Sequence, residues 1–260
     1  MNASRPWTPA ILLGGFLATA VVACGSDAAR VAPENDAVED AAATKPAQDP
    51  PTPPPATVLV EEKATARSWS FDAGEESGLP AGWTVGESNG AGTPATWATV
   101  ARDDAPSPPG AFGVTASANY GHTFNVALTD CARCQNLDLT VAVRAVSGEE
   151  DQGGGPVWRA ADASNYYITR WNPLEKNFRV YFVKAGRRKQ LASAQATADI
   201  SSWHTIRVVA VGAHIDCYFD GEKLLSVDDE TFAEAGMVGL WTKADAVALF
   251  DDLHVESAGR

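Results

Sequence analysis

Residues 166–183 read YYITRWNPLEKNFRVYFV, and this stretch gives the clearest indication of the fold class. Its middle holds Asn172-Pro173, a typical turn signal, and after it Phe178, Val180 and Phe182 recur at every second position. Successive side chains of a β-strand point to opposite faces of a sheet, so a period of two indicates a strand with one buried face. The stretch therefore predicts a β-hairpin.

The tip of this hairpin fixes which residues lie opposite each other. If Asn172 faces Asn177, then Arg170 faces Arg179. Two cations directly opposite each other across a strand pair are unfavourable unless an anionic or strongly hydrogen-bonding group lies between them. We expect either an internal carboxylate, from Glu175 or a loop aspartate, or a bound sugar or uronate between the two guanidinium groups.

The same register sorts the hairpin into an apolar face and a mixed face. The apolar face carries Tyr167, Thr169, Trp171, Phe178, Val180 and Phe182, and the mixed face carries Ile168, Arg170, Arg179 and Tyr181. Trp158 and Trp241 fall on strands that could border the mixed face, where an aromatic ring beside polar groups is typical of a sugar site; core packing is the alternative for both. The predicted ligand-binding residues are Trp158, Arg159, Arg170, Asn172, Arg179, Tyr181 and Trp241.

The period of two continues through the rest of the carboxy-terminal half. It is clear in residues 137–143, 206–210 and 215–219, and turn signals such as Ser147-Gly148 and Asp220-Gly221 separate the strands. No window shows sustained helical spacing of apolar residues. Successive hairpins over some 190 residues predict an all-β fold and suit a two-sheet antiparallel jelly-roll sandwich; the period of two does not by itself distinguish between sandwich topologies.

A series of short motifs in fixed order resembles the concanavalin A-like lectin/glucanase superfamily. The motifs are Gly154-Gly155-Pro156-Val157-Trp158-Arg159, Asn165-Tyr166-Tyr167, Asn177-Phe178-Arg179-Val180-Tyr181, Trp203-His204, Asp220-Gly221, Gly239-Leu240-Trp241 and Phe250-Asp251-Asp252-Leu253. From about Trp69 to Val255 the chain is similar to bacterial domains described as family-16-glycoside-hydrolase-like or 3-keto-disaccharide-hydrolase-like. The resemblance implies a concanavalin A-like sandwich and a glycan as ligand.

The first 23 residues predict the signal peptide of a bacterial lipoprotein. An apolar run from Ile11 ends in small residues at Cys24, and it is shorter than the ~20 residues that a membrane span needs. Val21-Val22-Ala23-Cys24 resembles a lipobox, in which the cysteine is lipidated; an ordinary signal peptide with an incidental cysteine is the alternative. Gly25 favours the outer membrane of the cell envelope, so we expect a lipid-anchored protein that faces the periplasm or the cell surface.

Residues 24–66 predict a disordered tether, and residues 67–260 predict one domain. The tether is rich in Ala, Pro and acidic residues, and no aromatic residue occurs between Leu17 and Ser68, so this segment cannot form a core. Residues 67–260 carry 16 Lys and Arg against 25 Asp and Glu, a net charge of −9. This balance argues against nucleic acid as a partner and leaves the lipid as the membrane contact. We expect a monomer.

Three cysteines remain beyond Cys24, an odd number for an oxidising compartment. Cys131 and Cys134 lack the neighbours of a haem or zinc site, so a local disulfide is the leading interpretation. Cys217 alternates with apolar residues, which predicts a buried, inert thiol.

The sequence lacks the catalytic signature of family 16 glycoside hydrolases. Those enzymes carry Glu-x-Asp-x-x-Glu along one strand, and no such triplet occurs here. If the domain cleaves glycosides with another arrangement, the candidates are Glu149, Glu150, Asp151 and Glu175, although the first three read as an acidic loop before three glycines. The leading hypothesis is a non-catalytic carbohydrate-binding domain; a glycoside hydrolase and an envelope structural or adhesion protein are the alternatives.

Oxygen ligands for a metal occur near the two ends of the domain. Asp72 lies near the first strand, and Asp251-Asp252 lie near the last. Jelly rolls commonly bring their terminal strands together, and calcium prefers carboxylate oxygens. The sequence therefore predicts structural calcium as the one candidate cofactor; solvated acidic turns are the alternative.

Overall fold

The computed structural model describes residues 66–72 and 78–259, and these form fifteen β-strands and no helix. The strands are β1 Arg67–Trp69, β2 Trp83–Ser88, β3 Thr96–Ala101, β4 Gly110–Ala116, β5 Phe124–Cys134, β6 Leu137–Ser147, β7 Gly155–Asp162, β8 Asn165–Asn172, β9 Asn177–Lys184, β10 Arg187–Gln195, β11 His204–Val211, β12 His214–Phe219, β13 Glu222–Asp228, β14 Gly236–Lys243 and β15 Val247–Ser257. The predicted signal peptide, Cys24 and nearly all of the predicted tether lie outside the described residues. Within the described ranges, no helix is long and apolar enough to cross a membrane.

The strands form two antiparallel sheets that pack face to face. The eight-stranded sheet has the order β13-β12-β11-β6-β15-β4-β3, with β1 paired to β15. The seven-stranded sheet has the order β10-β9-β8-β7-β14-β5-β2. This architecture confirms the predicted all-β two-sheet sandwich.

The core between the sheets is formed by the residues that recur at every second position. Ile206 on β11 pairs with Val141 on β6, and Val208 pairs with Leu139; all four side chains are fully buried. Burying a side chain of this size stabilises the fold by roughly 1.5–3 kcal/mol. The period of two in the sequence is therefore the pattern that closes the sandwich.

The β8–β9 hairpin has the predicted register and the predicted faces. Asn172 pairs with Asn177, and Arg170 pairs with Arg179. The apolar set, which includes Trp171 and Phe178, packs in the core between the sheets, whereas the mixed face points away from it. Both predictions for this hairpin are confirmed.

The seven-stranded sheet curls toward its outer side, because Asn89, after the edge strand β2, bonds to Gly186, beside the opposite edge strand β10; we call this outer side the concave face. It carries a second apolar cluster, formed by Phe124, Val126, Leu128, Val157, Ala160, Tyr166, Ile168, Tyr181, Val183 and Trp241. The edge strand β2 reaches across this face, because the Ser88 hydroxyl donates to the Ala163 carbonyl and Asn89 Nδ2 donates to the Gly186 carbonyl, 2.7 Å away. A Cβ on Gly86 would lie only 3.0 Å from the Ala163 Cβ, so a glycine suits this close approach.

The described cysteine side chains lie in buried positions. Cys217 is fully buried on β12, as predicted, and burial raises the pKa of its thiol to about 12, so we expect the thiol to be unreactive. Cys134 is also buried. The side chain of Cys131 lies outside the described residues, so the Cys131–Cys134 disulfide stays a prediction.

Candidate functional site

Two arginines and one glutamate form a charged group at the open end of the concave face, which we call the arginine cluster: Arg170, Glu175 and Arg179. Glu175 Oε2 lies 3.0 Å from Arg170 Nη2 and 2.9 Å from Arg179 Nη1. Of the two alternatives for the space between the arginines, the internal carboxylate is the one observed. The Arg170 side chain is 1% exposed, but those of Arg179 and Glu175 are 29% and 44% exposed. The cluster therefore has one buried member, Arg170, and two members that contact solvent, Arg179 and Glu175.

Neighbouring polar groups fix the geometry of the arginine cluster. Asn177 Nδ2 donates to Glu175 Oε2 at 2.9 Å, and Arg170 Nη1 donates to Asn177 Oδ1 at 3.1 Å. The Tyr181 hydroxyl lies 3.5 Å from a guanidinium nitrogen of each arginine. Burial alone would raise the pKa of Glu175, but the hydrogen bonds from Asn177 and Arg170 and the two positive charges outweigh it and hold that pKa at about 2. Glu175 is therefore ionised at neutral pH.

All the side-chain donors to Glu175 use the same oxygen, Oε2. Within the described part of the chain, Oε1 has no hydrogen-bond partner. The side chain is 44% exposed, so this oxygen remains available to a ligand. Arg179 donates through Nε to the Ser193 hydroxyl at 3.1 Å and through Nη1 to Glu175, which leaves Nη2 without a partner in the same part of the chain. An acceptor and a donor therefore lie side by side at the surface with unused hydrogen-bonding capacity.

A buried ion pair lies beside the cluster. Asp151 is 1% exposed; its Oδ2 lies 3.1 Å from Lys243 Nζ, and its Oδ1 accepts from Asn172 Nδ2 at 2.9 Å. Burial raises the pKa of Asp151, although the charges of Arg170 and Lys243 oppose this shift. Asn172 Oδ1 accepts the main-chain N–H of Glu175 at 3.0 Å, so the amide of Asn172 holds the hairpin tip and does not face a ligand.

The acidic stretch Glu149-Glu150-Asp151 lies in a loop, as its position before the three glycines predicts. The main-chain N–H groups of Glu149, Glu150 and Asp151 all donate to the carboxylate of Asp245. Glu149 and Glu150 are exposed, and Glu150 Oε1 accepts the N–H of Gly121 at 2.9 Å. Of the four catalytic candidates, the structure therefore brings only Asp151 and Glu175 close to the arginines.

Arg188 also belongs to this site, although it is not among the ligand-binding residues predicted from the sequence. Its guanidinium carbon lies 4.5 Å from the centre of the Tyr181 ring, 5.1 Å from that of Phe124 and 5.8 Å from that of Trp241. Its position on the concave face follows from its pairing with Val183, whose side chain lies in the second apolar cluster. In the sequence, the run Arg187-Arg188-Lys189 is typical of a solvated edge strand, so its charge does not single out Arg188. The feature that could have placed Arg188 on this face is the alternation of side chains along β10.

The two tryptophans that were predicted to border the mixed face, Trp158 and Trp241, lie on opposite faces of the seven-stranded sheet. Trp241 lies on the concave face, fully buried, and its Nε1 donates to the Tyr166 hydroxyl at 3.1 Å. Trp158 pairs with Tyr167, and its fully buried ring stacks on Tyr167 inside the core. The prediction that Trp158 borders the mixed face is wrong, because its position on β7 points to the opposite side of the sheet. Core packing, the stated alternative, is the observed role of Trp158.

Arg159 also lies away from the cluster. It is 2% exposed, and its guanidinium group donates to the main-chain carbonyls of Gln135, Phe232 and Gly212 at 2.8–3.1 Å. It therefore joins loops and offers little to a ligand, contrary to the sequence prediction. A shallow depression above it is lined by Gln135, Asn136, Val211 and Gly212. That depression shares no residue with the arginine cluster, and its lining side chains carry no charge.

The predicted calcium ligands lie near one another without forming a ligand shell. Burial is the largest cause that raises the pKa of Asp251, to about 6, and the nearby charges of Asp252 and Asp72 raise it further. Hydrogen bonds from the N–H groups of Ser107 and Asp252 lower this pKa but do not cancel the rise. Both Asp251 oxygens accept these main-chain bonds at 2.8 Å. In the described part of the chain, no three His, Cys, Asp or Glu side chains are arranged to hold a metal. Calcium stays a prediction.

Comparison with known proteins shows the fold. No protein-family profile and no curated protein matches the chain. Among solved structures, it is similar to the carbohydrate-binding module CBM66 from Bacillus subtilis, with 19% identity over 68% of this chain and 96% of that one and a TM-score of 0.53. It is also similar to the cellulose-induced protein Cip1, with 13% identity over 74% and 97% of the two chains and a TM-score of 0.53.

A third similar structure is a larger protein, the GH43 protein BlXynB from Bacillus licheniformis. The identity is 16% over 74% of this chain, the TM-score is 0.51, and the match covers 39% of the BlXynB chain. At such identities the three structures establish the same β-sandwich architecture.

Proposed function

We propose that the β-sandwich is a non-catalytic saccharide-binding domain that is displayed at the bacterial cell envelope through a lipid on Cys24. The ligand binds at the open end of the concave face. One observation carries the proposal: Glu175 Oε1 and Arg179 Nη2 lie at the surface with unused hydrogen-bonding capacity, on side chains whose other atoms are fixed by neighbours.

Sugar recognition requires this kind of surface. Neighbouring hydroxyl groups of a sugar ring each donate and accept, so an ionised carboxylate beside a guanidinium group matches two of them at once. The Arg170 and Asn177 bonds hold the Glu175 carboxylate in place before a ligand arrives, which lowers the entropy cost of binding. The Tyr181 hydroxyl contacts both arginines, and its ring belongs with Trp241 to the second apolar cluster, as apolar residues commonly line ligand sites beside a few polar groups.

The fold supports the proposal as an analogy. One similar structure is named a carbohydrate-binding module, another a cellulose-induced protein, and a third is a GH43 protein of which this chain matches a minor part. Fold similarity does not determine function, so the geometry of the site is the stronger support for saccharide binding. The envelope location depends on the sequence prediction for Cys24.

A glycoside hydrolase is the second candidate, and the opposed pKa shifts of Asp151 and Glu175 favour it. Burial raises the pKa of Asp151, whereas the arginines and Asn177 lower that of Glu175, and such pairs are typical of an acid and a base. Asp151, however, is 1% exposed and bonded to Lys243 and Asn172. A proton donor must reach the glycosidic oxygen, so binding without cleavage accounts better for this geometry.

A glycan array followed by calorimetry tests the proposal. We would use residues 58–260, because both sheets and their core lie within that part. Arg179→Ala and Glu175→Gln should each weaken the best array ligand about tenfold or more, since a hydrogen bond to a charged group contributes about 1.5–3 kcal/mol. Arg187→Ala, an equal charge change on the neighbouring strand, should bind like the parent protein.

Three outcomes would contradict the proposal. The first is an array without any bound glycan, and the second is normal binding by both Arg179→Ala and Glu175→Gln. The third is release of reducing sugar from the bound glycan, lost in Asp151→Asn, which would favour the hydrolase. Tyr181→Phe is the variant of choice for the tyrosine, because Tyr181 is 3% exposed and alanine would leave a cavity costing about 3–5 kcal/mol.

A further inference from the structure

Arg188 is a largely buried cation without a counter-ion. Its Nη1 atom is buried and has no hydrogen-bond partner. No acidic side chain forms an ion pair with it within residues 66–72 and 78–259. Its guanidinium group lies against the rings of Phe124, Tyr181 and Trp241. The position of the group is therefore set by aromatic contacts, which leave its hydrogen-bond donors unused.

This arrangement is unfavourable without an anion. Removing a charged group from water costs several kcal/mol, and cation–π contacts return about 0.5–2 kcal/mol. Burial, together with the charge of Arg170, lowers the pKa of Arg188, while Tyr181, Asp151 and Glu175 oppose the shift. An anion at the free donors would therefore be bound more strongly than at a solvated arginine.

Tyr181 connects Arg188 to the arginine cluster. The Arg188 guanidinium group lies over the Tyr181 ring, and the hydroxyl of the same ring lies 3.5 Å from Arg179 Nη1. Both guanidinium groups contact this one side chain, Arg188 at the ring and Arg179 at the hydroxyl. The two groups therefore belong to one site.

The charges around this site are unbalanced. Four cations lie at or beside this site with three carboxylates: Glu175 pairs with Arg170 and Arg179, and Lys243 pairs with Asp151 and Glu150, so Arg188 is the cation without an anionic partner among the described residues. This excess of positive charge lies on a domain whose residues 67–260 carry a net charge of −9. A local potential opposite in sign to the net charge indicates a site selective for anions.

We propose that the saccharide is acidic and that Arg188, with Arg179, binds its anionic group. This inference rests on the proposed function and adds the ligand class and Arg188 as the residue that determines it. A guanidinium group binds a carboxylate or a sulfate through two parallel hydrogen bonds; in Arg188 these would come from Nε and Nη2, because Nη1 is buried, and the rings beneath the group already orient it. Uronic acids and sulfated sugars share this chemistry.

Calorimetry with matched saccharides tests the inference. The probes are tetragalacturonic acid, its fully methyl-esterified form, and a sulfated galactose tetrasaccharide beside its unsulfated parent. We expect at least one anionic probe to bind tenfold or more tightly than its neutral counterpart. The probe that binds more tightly shows whether the ligand is a uronic acid or a sulfated sugar. In Arg188→Gln the preference should fall to within about twofold of unity, whereas Arg187→Gln, which removes an exposed charge on the other side of β10, should retain it.

The outcomes separate this inference from the proposed function. Equal binding of acidic and neutral probes, or a preference that persists in Arg188→Gln, overturns the acidic ligand and leaves saccharide binding intact. Failure to bind any array glycan overturns the proposed function itself. If Arg188→Gln does not fold, as judged by thermal melting, Arg188→Lys takes its place: it keeps the charge over the rings but not the fork, and its acid preference should fall at least threefold.

Discussion

Glu175 is the residue on which the charge pattern of the site depends. It neutralises two arginines that the hairpin register places opposite each other, and it does so with one oxygen. The other oxygen stays available. A structural salt bridge and a ligand site are therefore compatible at this position, because the internal pair uses only part of the hydrogen-bonding capacity of the carboxylate.

Glu175 should make the stability of the domain sensitive to acid. Its pKa is about 2 in the folded protein against 4.5 without neighbours, so the folded state binds fewer protons than the unfolded state between these values. The stabilising contribution is complete above about pH 4.5 and is lost as the pH falls toward 2. We expect the melting temperature of the parent protein to fall more steeply over this range than that of Glu175→Gln. Parallel curves for the two proteins would contradict the role of Glu175.

At the residue scale, the sequence predicts the facing arginines and misses Arg188 and the orientation of Trp158. The arginines follow from one turn and a period of two. Trp158 lies on β7, whose residues from Gly155 to Ala160 are buried on both faces, so no polar alternation marks which side faces the core. The role of Arg188 depends on aromatic rings from β5 and β14, which are distant in sequence.

At the scale of elements, the β8–β9 hairpin is the best predicted part of the fold, because its register needs only local information. The curvature of the seven-stranded sheet could not be predicted. It brings β2 against the turn after β7, where a hydrogen bond joins Ser88 to Ala163, 75 positions away in the sequence. These contacts close one end of the concave face and leave the arginine cluster at the other.

The pairing of β1 with β15 brings the predicted calcium ligands to one side of the domain. If calcium binds Asp72, Asp251 and Asp252 with a dissociation constant of ~10⁻⁴ M, 10 mM calcium should stabilise the fold by about 2.7 kcal/mol. The melting temperature should then rise by roughly 5–10 °C relative to protein in chelator. Asp252→Asn should reduce the rise and Asp103→Asn, a similar exposed change, should not. Identical melting with calcium and with chelator would show that this acidic group binds none.

At the scale of the whole molecule, the sequence predicts the fold class and the acidic character of the domain, since both depend on patterns summed over many residues. The predictions of a lipid anchor and a tether depend on the first 66 residues alone.

If Cys24 is lipidated, Cys24→Ala should yield an uncleaved precursor that incorporates no labelled fatty acid. Labelling that persists in this variant would place the lipid elsewhere, whereas Cys217→Ala should be labelled like the parent protein.

NMR can show whether the saccharide binds on the concave face. The side-chain Nε–H signals of the arginines in residues 58–260 can be followed by NMR while the best array glycan is added. We predict shifts at Arg179 and Arg188 on the concave face, with Arg187 and Arg207 unchanged. Shifts confined to Arg207, on the eight-stranded sheet, or no shift at any arginine at a saturating glycan concentration, would contradict a saccharide site on the concave face.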